Sequence, residues 1–122
     1  WEVVQVLPQL LAPGDPRGLA ALEMHLKDDD TGTRARAVSM VPKVLEQGDP
    51  RALVTLGPCL SPDEDPRVNL AALEALPLLL PRGNAAALAL VQACLEGAQS
   101  GRDPLDTYVR RAAAKALEQL AA

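Results

Sequence analysis

Self-similarity limits this chain more than any single motif does. GDPRGLAAL begins at Gly14, and GDPRALVTL begins at Gly48, 34 residues later. GNAAALALV begins at Gly83, a further 35 residues on. Under these shifts Leu19, Leu53 and Leu88 share a column, as do Leu22, Leu56 and Val91, and Leu26, Leu60 and Leu95. A second set lies behind the first: DTGTRARAVSMV from Asp30, DPRVNLAALEAL from Asp65 and DTYVRRAAAKAL from Asp106. Ala37, Ala72 and Ala113 align in it, and so do Val41, Leu76 and Leu117. The opening WEVVQVLPQLL fits the same frame, with Val3 in the Ala37 column and Leu7 in the Val41 column. A fixed period of this length signals stacked two-element units, each too small to bury its apolar stripe alone.

Both segments of a unit read as helix. Alanine and leucine carry most of the hydrophobicity, and β-branched and aromatic residues are few, a balance that favours helix over strand. Asp15, Asp49 and Asn84 are expected to cap the first helices, with Pro16 and Pro50 at the first helical position, where a missing N–H costs nothing. Asp30, Asp65 and Asp106 are expected to cap the second helices. Gly14, Gly48 and Gly83 follow the second helices and suit a C-terminal cap or tight turn. Pro8, Pro42 and Pro77 share one column, replaced in the last unit by Glu118. The apolar column beyond it stays on one helical face, so the helix is expected to run on past Pro77. The whole chain, 1–122, reads as one domain. Residues 1–13 form the second helix of a truncated unit, 14–47 and 48–82 are full units, and 83–122 is a unit with an enlarged internal loop around GAQSGRDPL. The frame calls for a further helix before Trp1, as in a fragment of a longer array.

The patterns GDPRxLxxLxxxL and DxxVRxxAAxAL resemble the HEAT-repeat family, in its short bacterial-type form. Tyr108–Leu117, YVRRAAAKAL, fits best, while Thr33 and Asn69 depart from the pattern. The resemblance implies an all-α fold: an α-solenoid, a right-handed superhelical stack of antiparallel helix pairs with the second helices on the concave side. It does not fix a function, because function resides in sites rather than folds.

Chemistry-bearing candidates are few. His25 shares a column with Cys59 and Cys94. Equivalent positions in stacked units stand about 8–10 Å apart, too far for one metal or a disulfide, so these residues read as filling of a layer. No metal site, cofactor site or catalytic residue is assigned. The acidic runs KDDDTG and SPDEDP lack the glycine turn and closing glutamate of a calcium loop and read as capping turns. Arg34 and Arg110 share a column with Asn69. The resemblance implies that such an arginine pairs with acidic loop residues of a neighbouring unit, and Asp30, Asp65 and Asp106 are at hand. Enzymatic branches of the family carry marks not found here, such as the repeated His-Glu pairs of the deoxyhypusine hydroxylases. The formal charge of −4, the pI near 4.9 and the near absence of aromatics argue against nucleic acid. The apolar run Ala75–Leu95 is broken by Pro77, Pro81 and Gly83 and reads as two helices, not a membrane span. Two cysteines do not make a disulfide framework, which points to a reducing, cytoplasmic setting.

Columns that vary on an exposed face are free to specify a partner. On the second helices that face runs through Ala35, Ser39 and Lys43, then Leu70, Glu74 and Leu78, then Arg111 and Lys115. Trp1, Gln5 and Gln9 occupy it in the leading segment. The stripe forms a shallow apolar groove with a basic end, suited to a protein segment carrying acidic residues. The expectation is a non-enzymatic, protein-binding scaffold, with end-to-end self-association as a further possibility for its open ends. The alternative is an enzyme-associated or lyase-like module in which the repeats hold a small ligand.

Overall fold

The computed structural model describes residues 12–98 and 103–121, and among them there is helix but no strand. The helices are α1 (Pro16–Leu26), α2 (Thr31–Val44), α3 (Arg51–Leu56), α4 (Pro66–Leu79), α5 (Ala85–Ala98) and α6 (Asp106–Leu120). A 3-10 turn, Gly57–Leu60, extends α3. Pro58 has no N–H to offer the preceding turn, so the α-helical ladder gives way to the tighter one there. Residues 1–13 and the loop around GAQSGRDPL fall largely outside the described residues, and Pro8, Val3 and Leu7 fall wholly outside them.

Helix starts follow the aspartates and prolines of the sequence. Asp15 Oδ1 accepts from the Arg17 N–H at 2.9 Å, and Asp65 Oδ1 accepts from the Arg67 N–H at 2.9 Å. Asp49 accepts from the Arg51 N–H at 2.8 Å, and Asn84 Oδ1 from the Ala87 N–H at 3.0 Å. Asp30 Oδ2 takes both the N–H and the hydroxyl of Thr33, at 2.8 and 2.9 Å. Thr33, a departure from the expected valine, therefore joins the cap. Asp106 does not cap α6. Asp103, in the turn before it, accepts from the Leu105 N–H at 2.8 Å, and its own N–H donates to Asp106 Oδ2 at 3.2 Å; the residue ahead of α6 is Leu105, with no side-chain cap. Asp103-Pro104 has the same residues as the Asp-Pro starts of α1 and α4, but it opens a turn ahead of the helix.

Helix ends are equally regular. α2 runs through Pro42 and α4 through Pro77, each reaching two residues further. The closing bonds occupy one register: Leu45 to Val41 O at 3.1 Å, Leu80 to Leu76 O at 3.0 Å and Ala121 to Leu117 O at 2.9 Å. A proline in the last turn leaves these bonds intact, so Glu118 in its place changes nothing about where α6 stops.

Gly14, Gly48 and Gly83 take positive φ of 89°, 80° and 82°, a conformation that costs other residues about 1–2 kcal/mol. Each then donates its N–H to the last-turn carbonyl of the next second helix. Gly14 bonds Val44 O at 2.8 Å, Gly48 bonds Leu79 O at 2.6 Å and Gly83 bonds Leu120 O at 2.7 Å. One orphan carbonyl of each helix end is satisfied in this way.

The core follows the sequence columns. Leu22, Leu56 and Val91 are fully buried, as are Ala37, Ala72 and Ala113. Each large aliphatic side chain so placed contributes about 1.5–3 kcal/mol. α2 packs on α4 and α4 on α6, while α1 packs on α2, α3 and its 3-10 turn on α4, and α5 on α6. The 3-10 turn also touches α5.

Candidate partner-binding face

The outward side of α2, α4 and α6 carries the stripe expected from the sequence. Ser39, Lys43, Glu74, Arg111 and Lys115 are exposed. Leu78 is 58 % exposed, which is unusual for a leucine flanked by fully buried ones. Ala35 and Leu70 are half-buried and pack against the core. The apolar part of the stripe is thus narrower than the column pattern implies and centres on Leu78. A shallow groove of ≈ 100 Å³ between α2 and α4 is lined by Ser39, Pro42, Ala71, Glu74, Ala75 and Leu78. The Ser39 hydroxyl donates back to Ala35 O at 3.1 Å, so it is already engaged with its own helix. Arg111 lies in the Ala35–Leu70 column of α6 and Lys115 in the Ser39–Glu74 column. Trp1, Gln5 and Gln9 lie outside the described residues.

The arginine column has a different task. Arg34 forms an ion pair with Glu64 at 3.0 Å and donates to Asp28 O and Asp29 O at 2.8 and 3.0 Å. The acidic partner, Glu64, lies in the loop before α4 and is none of the capping aspartates. Asn69 is buried and donates to Cys59 O at 2.7 Å and Ser61 O at 3.1 Å. Arg110 reaches Ala98 O at 3.4 Å. All three side chains therefore supply N–H groups to carbonyls at or just past the end of the first helix in their own unit. Asn69 does not interrupt the series; it performs the task with an amide. The equivalence was hidden in the sequence because it rests on donor position, not charge.

The remaining candidates are engaged structurally. Asp28 Oδ1 accepts from the Asp30 N–H at 2.8 Å, and Glu64 Oε1 accepts from the Asp65 N–H at 2.8 Å. Hydrogen bonds from the Arg17 side chain and backbone hold the Asp15 carboxyl down at about 2. Asp30 is lowered by the Thr33 backbone and hydroxyl, and Asp49 by the Arg51 guanidinium and backbone. Cys59 and Cys94 are buried free thiols, pushed up to about 11 by that burial, so neither is a ready nucleophile. His25, in their column, is half-buried. Among the described residues no cluster of three or more His, Cys, Asp or Glu side chains is arranged to hold a metal. No described helix is long and apolar enough to cross a membrane.

Sequence reasoning missed a second groove, of ≈ 300 Å³, between α1 and α3. Glu23, Leu26, Lys27, Val54, Thr55, Pro58 and Cys59 line it. Val54 is 77 % exposed there, and Met24 on α1 is 81 % exposed. Pro58, inside a segment that aligns with continuous helix elsewhere, was the available signal. Comparison with protein-family models, curated proteins and solved structures finds no match to this chain.

Proposed function

We propose that the chain is a non-enzymatic scaffold built of HEAT-like helix pairs in an α-solenoid, and that it holds a segment of a partner protein on the outward face of its second helices. The observation that carries the reading is Leu78, an exposed leucine over a groove shared by two neighbouring second helices. With Pro42, Ala71 and Ala75 beside it, Leu78 makes a contiguous apolar patch that an apolar side chain of another protein can cover. Three features support the solenoid. The second helices contact one another in chain order, the glycine turns recur in one register, and the same columns are buried in each unit. Two buried free thiols fit a reducing, cytoplasmic setting.

Panning a random peptide library on the full chain tests the reading. Peptides selected on the wild type should lose binding to a Leu70→Asp/Leu78→Asp variant whose circular dichroism and melting remain cooperative. Peptides that bind both proteins equally would place the interaction elsewhere, and the proposal would fail.

A further inference from the structure

Charge is segregated on this molecule. Carboxylates gather at the turns that lead into the second helices: Asp28, Asp29 and Asp30 before α2, Asp63, Glu64 and Asp65 before α4, and Asp103 and Asp106 at the head of α6. The outward second-helix face has the opposite sign, although the chain as a whole is acidic, with a net charge of −4. Lys43 on α2 and Arg111 and Lys115 on α6 are exposed there; α2 contains no carboxylate, and α6 carries the exposed Glu118 near its end. Among the described residues, none of the ion pairs takes up Lys43, Arg111 or Lys115. Between the two basic helices lies α4, which contributes the exposed Leu78 and the exposed acid Glu74.

The order across the face is therefore cation, apolar, cation. Helices packed side by side have axes about 8–10 Å apart. A polyproline-II segment repeats its side-chain direction every three residues and advances about 9 Å in doing so. The two spacings are similar, and the row runs obliquely: Lys43 and Leu78 share a column, while Lys115 stands one turn back in the column of Glu74. Resting on the scaffold reading above, we infer that the segment held on this face is extended and acidic, with a carboxylate, an apolar side chain and a second carboxylate each three residues apart. The first carboxylate meets Lys43, the apolar side chain covers Leu78 over the groove, and the second meets Lys115, with Arg111 one turn away. Glu74 enforces the order, because an acid in the central position would face it at close range. A nucleic acid strand is disfavoured by the same arrangement, since its unbroken row of phosphates would lie over Glu74 and Leu78.

A synthetic peptide labelled with fluorescein, with glutamates three residues before and three residues after a single leucine, provides the test on the full chain. Fluorescence anisotropy should show binding that weakens at least tenfold with Lys43→Glu and with Lys115→Glu, and that weakens as salt rises. A peptide with a central glutamate in place of leucine should bind only to Glu74→Gln. All three substitutions are at exposed positions, and unchanged melting curves confirm that the variants fold. Tighter binding of a single-stranded oligonucleotide than of the peptide would overturn the inference. So would library-selected peptides that depend on Leu78 but are indifferent to Lys43→Glu and Lys115→Glu, and in that case the scaffold reading would stand. If no peptide depends on Leu78, both fall.

Discussion

The joint between the first and second units and the joint between the second and third are built on one plan with different materials. At the first, Arg34 crosses to Glu64, and Arg51 reaches back to Gly14 O at 3.0 Å while also pairing with Asp49 at 2.7 Å. At the second, Asn69 stands in the Arg34 column and Ala86 in the Arg51 column, so both charged ties are gone. Contact there is close and largely apolar. A Cβ on Gly97 would lie 2.6 Å from Pro62 Cβ, and Gly57 faces Leu90. A cavity of ≈ 210 Å³ opens beside Asn69, lined also by Glu64, Cys94, Asp103 and Asp106. What every unit keeps is the glycine N–H bond to the end of its own second helix. The conserved plan is thus carried by backbone geometry and the columns of small apolar residues, and the ion pairs are local additions.

The comparison can be broken most severely at Asn69. Asn69→Leu leaves Cys59 O and Ser61 O without their donor, and unsatisfied buried carbonyls cost about 2–3 kcal/mol in sum. Urea titration should register that loss. Asn69→Arg, with the cavity beside it to receive the longer side chain, should recover most of it, which would show that the two joints are interchangeable at this column. A smaller effect is expected at the shared element. Gly48→Ala meets open space, with nothing within 4 Å of the new Cβ, so only the positive φ is penalised, at about 1–2 kcal/mol. A near-zero change would mean that the turn relaxes and that the Gly48–Leu79 bond is dispensable.

The smallest effect belongs to the ion pairs of the first joint. Arg51→Ala should destabilise less than Gly48→Ala, and the difference from wild type should fade as salt rises. It should also remove part of the acid sensitivity. The Asp49 carboxyl is lowered in the folded chain, so its contribution is complete above the ordinary carboxylate range and disappears as pH falls through the lowered value. Thermal melts between neutral pH and about pH 2 would show wild type losing stability that Arg51→Ala has already lost.

Much of this architecture was legible because it depends on residues with single meanings. A glycine after an apolar run and an aspartate before a proline each mark one backbone state, and Gly14, Gly48, Gly83, Asp15 and Asp65 all adopt it. Asp106 does not follow its column because Asp103-Pro104, the same pair as Asp65-Pro66, opens a turn three residues earlier and the helix starts only at Asp106 itself. Glu64 as the partner of Arg34 was not legible, because the reach of a guanidinium across a joint depends on how two units are set against each other. The candidate face was legible in its polar members and less so in its apolar ones. Leu70 and Leu78 are about two turns apart on one stripe, with Glu74 between them, yet Leu70 packs against the core and Leu78 does not.

The glycine bonds also impose a direction. Each turn is complete before the helix whose end it ties has been made: Gly14 precedes α2, Gly48 precedes α4 and Gly83 precedes α6. Along the chain, each donor therefore comes before the helix whose end it ties. Loss from the trailing end removes a helix but strips no earlier one of its tie. Loss from the leading end unties the survivor next to the break. Repair, truncation and synthesis thus see two unlike ends on a molecule whose units look alike.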